Sequence, residues 1–522
     1  MSRPEFRRTF LTLSSWLRTS FASPSAASLL FLLSLLLSQS VFLPNLNEIN
    51  PFDEAAYVYG GYSLLAHGGL PRFADNPLIG LFYAIMAAPF RGSPFLLVHA
   101  NSLGRIVLFS LLWLATYRVA RELKEFTDPL LMLGMLFVMP LTIDMLRFPS
   151  DPLFASLAGL SLSQLLGFRE RRDRRQLWLA SLFLGLSAFA RNDGLVLFPI
   201  MALAALILVL PSKEWWKSLV ATILPFSLLV GGYVAVFGLR SGDFSLRTMD
   251  RAYDNFEAGH NLPVSGEFSG MDPVAEAKLE TRRLFGTPEE NRTSILRAIR
   301  KNPTAYIQRL RIAILSLPRQ FLHAYGIRFS ALLLFLALRG VLELVQRRQF
   351  RLLGVLLIWP THLVTGFAIT LFREGHLRFP FYVVLALASI GLAATLHRLN
   401  HRIEQALFTV SLAGLGVYGV VDDKLAVTYG ALVVLAGLWL VRYLKRRHTP
   451  DGSDRAAPLL LLLAVGIVVR GNFPAPKIRS LGELPDERAV LYMAENLEPG
   501  TVVAAGSGAP RRFDADGLTQ TV

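Results

Sequence analysis

Asn45-Leu-Asn-Glu-Ile-Asn-Pro-Phe-Asp53-Glu54-Ala-Ala-Tyr57 stands just beyond the first long apolar run, 24–43, and Gly68-Gly-Leu-Pro71 follows it. Two adjacent carboxylates at a membrane surface are costly to place and able to take part in proton transfer. They argue for an enzyme rather than a passive anchor. The rest of the chain is mostly membrane. Its 522 residues are 53% hydrophobic with a mean hydropathy of +0.44, the composition of an all-α polytopic membrane protein.

The formal net charge is +15, and Lys and Arg gather in short loops between apolar runs. That distribution fits cytoplasmic loops against anionic lipid, and it argues against nucleic acid as the partner. With no cysteine, a disulfide framework and a Cys-based metal site are both excluded. Arg3, Arg7, Arg8 and Arg18 precede the run 24–43, and no clear small-residue cleavage site follows it. The run is therefore expected to persist as the first span, with the N-terminus in the cytoplasm.

A span needs about 20 apolar residues. Windows of that kind fall at 24–43, 97–117, 126–142, 152–168, 177–190, 195–211, 219–238, 328–345, 352–371, 379–397, 405–421, 426–443 and 457–470. They predict about thirteen spans. Windows 177–190, 195–211 and 457–470 are short, and the first two also suit a hairpin dipping in from one side. When the windows alternate, the basic groups all fall on one side. These are the N-terminal arm, Arg118/Arg121/Lys124, Arg169–Arg175, Lys213/Lys217, Arg347/Arg348/Arg351, Arg398/Arg402 and Arg442/Lys445/Arg446/Arg447. That side is the cytoplasm by the positive-inside rule.

The outer side then holds loops 44–96 and 239–327, short turns at 143–151, 191–194 and 372–378, and the C-terminal tail. Loop 44–96 and the stretch Asn291–Phe321 carry apolar and polar faces at helical spacing, which predicts helices lying in the interface. From about 485 the tail reads as a helix followed by a strand. The expected domains are a transmembrane domain over 1–470 and a small extracytoplasmic segment over 471–522. A prokaryotic plasma membrane suits the composition.

Acidic groups near the outer face are the informative set: Asp53, Glu54, Asp75, Asp144, Asp151, Asp193 and Glu374. Asp53 can N-cap an interfacial helix and still serve as a general base toward a hydroxyl or amine. In Arg147-Phe-Pro-Ser-Asp151-Pro152, Asp151 suits the N-cap of a span and Pro152 its first turn. The alternative for Asp151 is a cavity-facing acid or metal ligand. Arg191, in Arg191-Asn-Asp193-Gly194, lies on the side opposite the basic loops, so it needs a local carboxylate or a ligand phosphate. Arg373-Glu374-Gly-His376-Leu-Arg378 repeats that anomaly and suits either a surface ion pair or a cationic clamp for a phosphate leaving group. Asn291-Arg-Thr293 fits the N-glycosylation triplet, a match of little weight. No P-loop, Rossmann fingerprint or His-Glu-x-x-His is present.

Together these residues resemble the integral-membrane GT-C glycosyltransferases, in the branch of the protein O-mannosyltransferases and the lipid A aminoarabinose transferase. The likeness rests on Asp53-Glu54-Ala-Ala-Tyr57 with Gly68 and Pro71, on Asp151-Pro152-Leu153, and on Gly185 through Arg191 to Gly194-Leu195. It implies a GT-C bundle and a polyprenyl-phosphate sugar as donor. It also implies transfer on the outer face, with inversion, to a glycan, lipid or protein. Asp53 would be the general base and Glu54 its support or a sugar contact. Tyr57 would bind substrate, Asp151 would shape the site or hold a metal, and Arg191, Arg373, His376 and Arg378 would contact phosphate. A divalent metal is compatible with this superfamily without being general to it, so no cofactor is assigned. Two places depart from the pattern. Asn76-Pro77 stands where the aminoarabinose transferases carry a basic residue before Pro, and Arg378-Phe379-Pro380 lacks one residue of the family spacing. The other class to weigh is a transporter or flippase of lipid-linked sugars. A transporter favours charges at the midplane and matching halves, which this chain does not display.

Overall fold

The computed structural model describes residues 53–68, 76–93, 96–127, 129–138, 145–146, 148–210, 213–242, 253–254, 256–258, 273–324, 327–361 and 381–398, with short strands at 502–504, 510–513 and 519–521. The expected spans 24–43, 405–421, 426–443 and 457–470 lie outside them. The chain divides into two units: Met1–Gly69 with Ile79–Ser110 and Pro474–Val522, and Leu70–Leu78 with Leu111–Phe473.

In the first unit, loop 44–96 does form helices: α1 (Asp53–His67) and α2 (Pro77–Ala87), leading into α3 (Leu96–Glu122). Glycine decides how they pack. A Cβ on Gly61 would lie 2.3 Å from Cβ of Tyr83, and one on Gly104 would lie 2.9 Å from the Tyr83 ring. Tyr83 is therefore seated between α1 and α3, fully buried. Beside it, Tyr62, Ala87, Leu96 and Ala100 form a small core. Gly68, at φ +70, ends α1 by donating its N–H to Leu64 O at 3.0 Å.

The second unit is a helical bundle. It contains α4 (Pro129–Val138), α5 (Ser150–Arg171), α6 (Arg174–Ala190), α7 (Asp193–Val209) and α8 (Trp215–Ser241). The short windows 177–190 and 195–211 become α6 and α7, each of 17 residues, or roughly 25 Å. Pro225 interrupts α8, and the N–H of Phe226 is satisfied across the bundle by Ser181 Oγ at 2.9 Å.

Among the described residues, α3 and α8 are long and apolar enough to cross a bilayer, and shorter apolar helices run Pro77–Phe90, Asp193–Val209, Phe350–Thr361 and Phe381–Thr395. Val220, Ile223, Leu224, Leu228, Val236 and Leu239 of α8 are exposed, an apolar face of the kind lipid covers.

The basic loops meet at one end of this bundle. Arg171 pairs with Glu122 at 3.0 Å and Arg169 with Glu125 at 3.4 Å, and Arg174 pairs with Glu214. The Phe126 ring lies between the guanidiniums of Arg169 and Arg347, 5.6 and 5.7 Å from its centroid. Four loops far apart in sequence thus share one end, as the alternation of spans requires. Trp215 and Trp216 are exposed at that same end beside Lys217, as interfacial aromatics are.

A helical segment follows α8: α9 (Pro273–Phe285), a single turn at Pro288–Asn291, α10 (Ile295–Lys301) and α11 (Pro303–Ala324). The helical pattern over Asn291–Phe321 is found as α10 and α11. The sequence did not disclose α9, or the core of Tyr253, Phe256, Phe285, Ala298 and Ala305 that it helps close. Arg309 donates to Phe256 O at 3.0 Å and stands 4.6 Å over its ring, and burial pushes its guanidinium down to about 10. Glu257, itself buried, accepts both Nε and Nη2 of Arg282 and raises that guanidinium's pKa. Asn291 is buried, and its Nδ2 donates to Tyr253 Oη, Phe285 O and Thr287 O. The glycosylation triplet is therefore a packing feature here, closed to modification.

The bundle continues with α12 (Ile327–Gln346), α13 (Phe350–Ile358) and α14 (Phe381–Arg398). Where α12 crosses α14, a Cβ on Gly340 would lie 2.0 Å from Leu387 O, and one on Gly391 would lie 1.9 Å from Leu336 O. The two backbones touch directly, as small-residue crossings in membranes allow.

The described bundle is helical as expected, and the tail carries strands. Strands β1 (Val502–Ala504), β2 (Pro510–Phe513) and β3 (Thr519–Thr521) form an antiparallel meander in the order β1-β2-β3, with Val503 opposite Arg511 and Arg512 opposite Gln520. The strand expected after Gly500 is β1. The other two carry no apolar alternation to read, and the expected helix lies outside the described residues.

Candidate active site

Asp53 and Glu54 open α1, in its first turn, where aligned peptide dipoles favour a carboxylate. Tyr57 stands one turn further on, half-buried. The helix they start is anchored by the Gly61–Tyr83 contact, so the acid pair rides on a fixed element rather than a loop.

A second polar cluster forms where α5 begins and α6 turns into α7. The Arg191 guanidinium donates from Nη1 to Asp151 Oδ1 at 2.6 Å and to Ser150 Oγ at 3.2 Å, and from Nε to Asp193 Oδ2 at 3.0 Å. The Asp151 side chain is only 8% exposed. This answers what neutralises an Arg on the side opposite the basic loops: a local carboxylate does, and a second one joins it. The Asp151–Arg191 bond spans 40 positions in sequence, so spacing alone gave no sign of it.

Asp151 does not cap α5. The helix begins at Ser150 with Pro149 at the cap position and no side-chain cap bond, and Asp151 N already donates to Phe148 O at 2.8 Å. The helix begins two residues earlier than Pro152 suggested, which leaves the carboxylate free of capping and bonded to Arg191. Among the described residues, no three His, Asp or Glu side chains gather where a metal could sit.

Gly194 holds the turn closed. A Cβ there would lie 2.5 Å from Ala188 N and 2.8 Å from Ser187 Oγ. The Gly-to-Gly segment thus has a packing reason: α7 folds back onto the last turn of α6 and presents Arg191 to α5. Arg191→Ala would leave Asp151 buried without its cation, at a cost of about 3–5 kcal/mol. Thermal unfolding in detergent should show that loss, and the Asp151→Asn/Arg191→Ala double variant should lose less than the sum of the singles. Additive losses would mean the pair carries no coupling.

Asp75, Asp144, Arg373, Glu374, His376 and Arg378 lie outside the described residues. Asn76, in place of the family's basic residue, is buried with φ 54, a left-handed conformation that Asn tolerates better than most residues. The sequence reading also passed over a pair on α3. Asn101 and Arg105 are 0% and 4% exposed, one turn apart on its packed face. An Arg inside a span is itself a functional signal. It was lost because one charge barely lowers the hydropathy of window 97–117.

No protein-family model matches the chain, and no curated protein matches it by sequence. Solved structures do. ArnT from Cupriavidus metallidurans bound to undecaprenyl phosphate superposes with a TM-score of 0.54 at 14% identity, over 91% of this chain and 82% of that one. The same protein in its apo state gives 0.55 at 16% identity over the same shares. The archaeal oligosaccharyltransferase AglB from Archaeoglobus fulgidus, in complex with an inhibitory peptide and a dolichol-phosphate, gives 0.43 at 13%, over 90% of this chain and 58% of that one. At such identities the ArnT likeness is one of architecture alone: the chain shares the fold of ArnT, the GT-C architecture that the resemblance in sequence led us to expect.

Proposed function

We propose that this protein is a multi-pass plasma-membrane glycosyltransferase that moves a sugar from a polyprenyl-phosphate donor to an acceptor on the outer face. The observation that carries the reading is the fold likeness, over 91% of the chain, to a protein seen with undecaprenyl phosphate. The carboxylate pair at the head of α1 supports it. The end of the bundle holding Arg169, Arg171 and Arg347 faces the cytoplasm, and the end holding Asp151 and Arg191 faces out. The tail lies outside as well.

In the reaction, the acceptor hydroxyl or amine attacks the anomeric carbon while Asp53 takes its proton. The bond from that carbon to the phosphate oxygen breaks, and the polyprenyl phosphate departs with the bonding electrons. A single displacement inverts the anomeric centre. Glu54 orients Asp53 or binds the sugar, and Tyr57 lines the same helix. Cations at Arg373, His376 and Arg378 stabilise the leaving phosphate. Arg191, gripped by two carboxylates, serves first to position the outer heads of α5 and α7. Asp151 acts through it.

The test uses the purified full-length protein in nanodiscs with polyprenyl-phosphate-linked sugars and a panel of glycan, lipid and peptide acceptors. Release of free polyprenyl phosphate coupled to acceptor glycosylation is expected. Mass spectrometry of envelope glycans from a deletion strain should show one sugar missing, which identifies donor and acceptor together. Movement of intact sugar-lipid across vesicles, without cleavage, would replace this reading with that of a transporter.

A further inference from the structure

We infer that the exposed faces of α10 and α11 are a docking surface for the anionic phospholipid headgroups of the outer leaflet. This goes beyond the transferase reading and needs only the chain's membrane setting. Two observations carry it: a helix whose polarity is inverted, and a run of positive charge without carboxylates.

Helix α11 is inside out. Ala305, Arg309 and Ala313 recur every four residues and are buried. Ile307, Arg311 and Leu315 recur at the same interval, two residues out of step, which puts them on the opposite side of the helix. There Ile307 is 65% exposed and Leu315 68%, with Ile314 exposed beside them. A helix that meets water does the reverse, hiding its large apolar side chains and showing its charges. The preceding helix repeats the inversion: Leu296 of α10 is 69% exposed, and Ala298, two positions on, is fully buried. The core under both helices is closed by Tyr253, Phe256 and Phe285, with Ile295, Ile299, Tyr306 and Ile312 packed against it. Arg309 faces that core because Phe256 O accepts its Nη1 and the Phe256 ring lies beneath it. Leu296, Ile307 and Leu315 take no part there, and contiguous apolar side chains left outside mark a surface that something else covers.

Charge identifies the occupant. No acidic residue stands between Glu290 and Glu343. Over 291–315 the chain carries Arg292, Arg297, Arg300, Lys301, Arg309 and Arg311. Arg309 is turned inward, and Lys301 is held by Glu290 at 2.8 Å. Arg297, Arg300 and Arg311 are exposed, and Arg311 stands one turn from both Ile307 and Leu315. Guanidiniums flanking an apolar face suit an anionic interface, with the apolar side chains sunk about 5–10 Å and the charges at the level of the phosphates. On the outer side, where the topology puts this segment, the positive-inside rule gives no reason for these arginines. A bilayer is also at hand. Only Tyr325 and Gly326 separate α11 from α12, and Phe335, Leu338 and Leu342 of α12 are exposed as lipid-facing residues are.

The chain has no cysteine, so Ile307→Cys supplies a single thiol for a fluorescent label. The full-length protein is placed one copy per nanodisc, in phosphatidylcholine alone or in equal parts phosphatidylcholine and phosphatidylglycerol. In the mixed discs the label should be shielded from aqueous acrylamide. A nitroxide carried on phosphatidylglycerol should quench it about threefold more than the same nitroxide on phosphatidylcholine, and that ratio should fall to near one in about 1 M salt. Arg297→Gln, Arg300→Gln and Arg311→Gln combined should bring the ratio to near one with an unchanged melting temperature, since all three side chains are exposed. A label as open to acrylamide as the same dye on free cysteine would overturn the docking surface. Shielding without preference for phosphatidylglycerol would overturn the anionic headgroup as its ligand. Shielding that arises only with two copies per disc would overturn the lipid and assign the face to a second copy of the chain. Should the triple variant fail to fold, the salt titration of the single-cysteine protein decides. None of these readouts passes through sugar transfer, so a failure here leaves the proposed activity standing.

Discussion

Asp53→Asn is expected to lower sugar transfer by about a hundredfold or more, with expression, melting temperature and donor binding near wild type. The substitution keeps the shape of the side chain and removes only its capacity to accept a proton. Asp53 stands in the first turn of α1, where Asn is well tolerated. The helix is anchored eight residues on, at Gly61, and that packing does not depend on the charge. A general base is needed in the transition state and not in the ground state, so kcat should fall while KM for the donor holds. Transfer at near wild-type rate would remove Asp53 from the mechanism. A fall in kcat matched by a fall in melting temperature would show that the charge serves the helix and not the chemistry.

Gly391→Ala is expected to destabilise the bundle by about 3 kcal/mol or more, and Gly391→Leu to abolish the monodisperse folded protein. The added Cβ would sit 1.9 Å from the Leu336 carbonyl oxygen, a backbone atom that cannot rotate away. Relief requires α12 and α14 to separate, which also opens the partner contact at Gly340. Gly232→Ala in α8 is the matched control, since nothing lies within 4 Å of its added Cβ. There the helix should gain about 0.5–1 kcal/mol from lost unfolded-state freedom. Detergent-solubilised yield and thermal unfolding measure both. If Gly391→Ala proves as benign as Gly232→Ala, the close crossing is not a feature of the folded protein.

Periodicity and charge made much of this legible before any coordinates. Windows 152–168, 219–238 and 328–345 mark helices that run a few residues further at their ends, because polar residues flank the apolar cores that define a window. Arg191 was marked as a cation needing an anion, and Asp193, two residues away, could be named as its partner. Asp151 was read as a helix cap or a cavity-facing acid. That it answers Arg191 could not be read, because their bond depends on how the α5 and α6–α7 ends meet. The same holds for Gly340 with Gly391, and for the buried core under α9, whose sequence is polar and reads as loop.

By itself, the order of residues determined that the chain is built of long apolar helices, that basic groups gather between them, and that an acid pair stands where a helix begins. Apolar length and positive charge are local quantities, and local quantities are written directly in the chain. Only the tertiary structure decided which charges are paired, which glycines carry a crossing, and that Asn101 and Arg105 of α3 are buried. Those are facts about neighbours distant in sequence, and they exist only once helices have packed and removed water from between them.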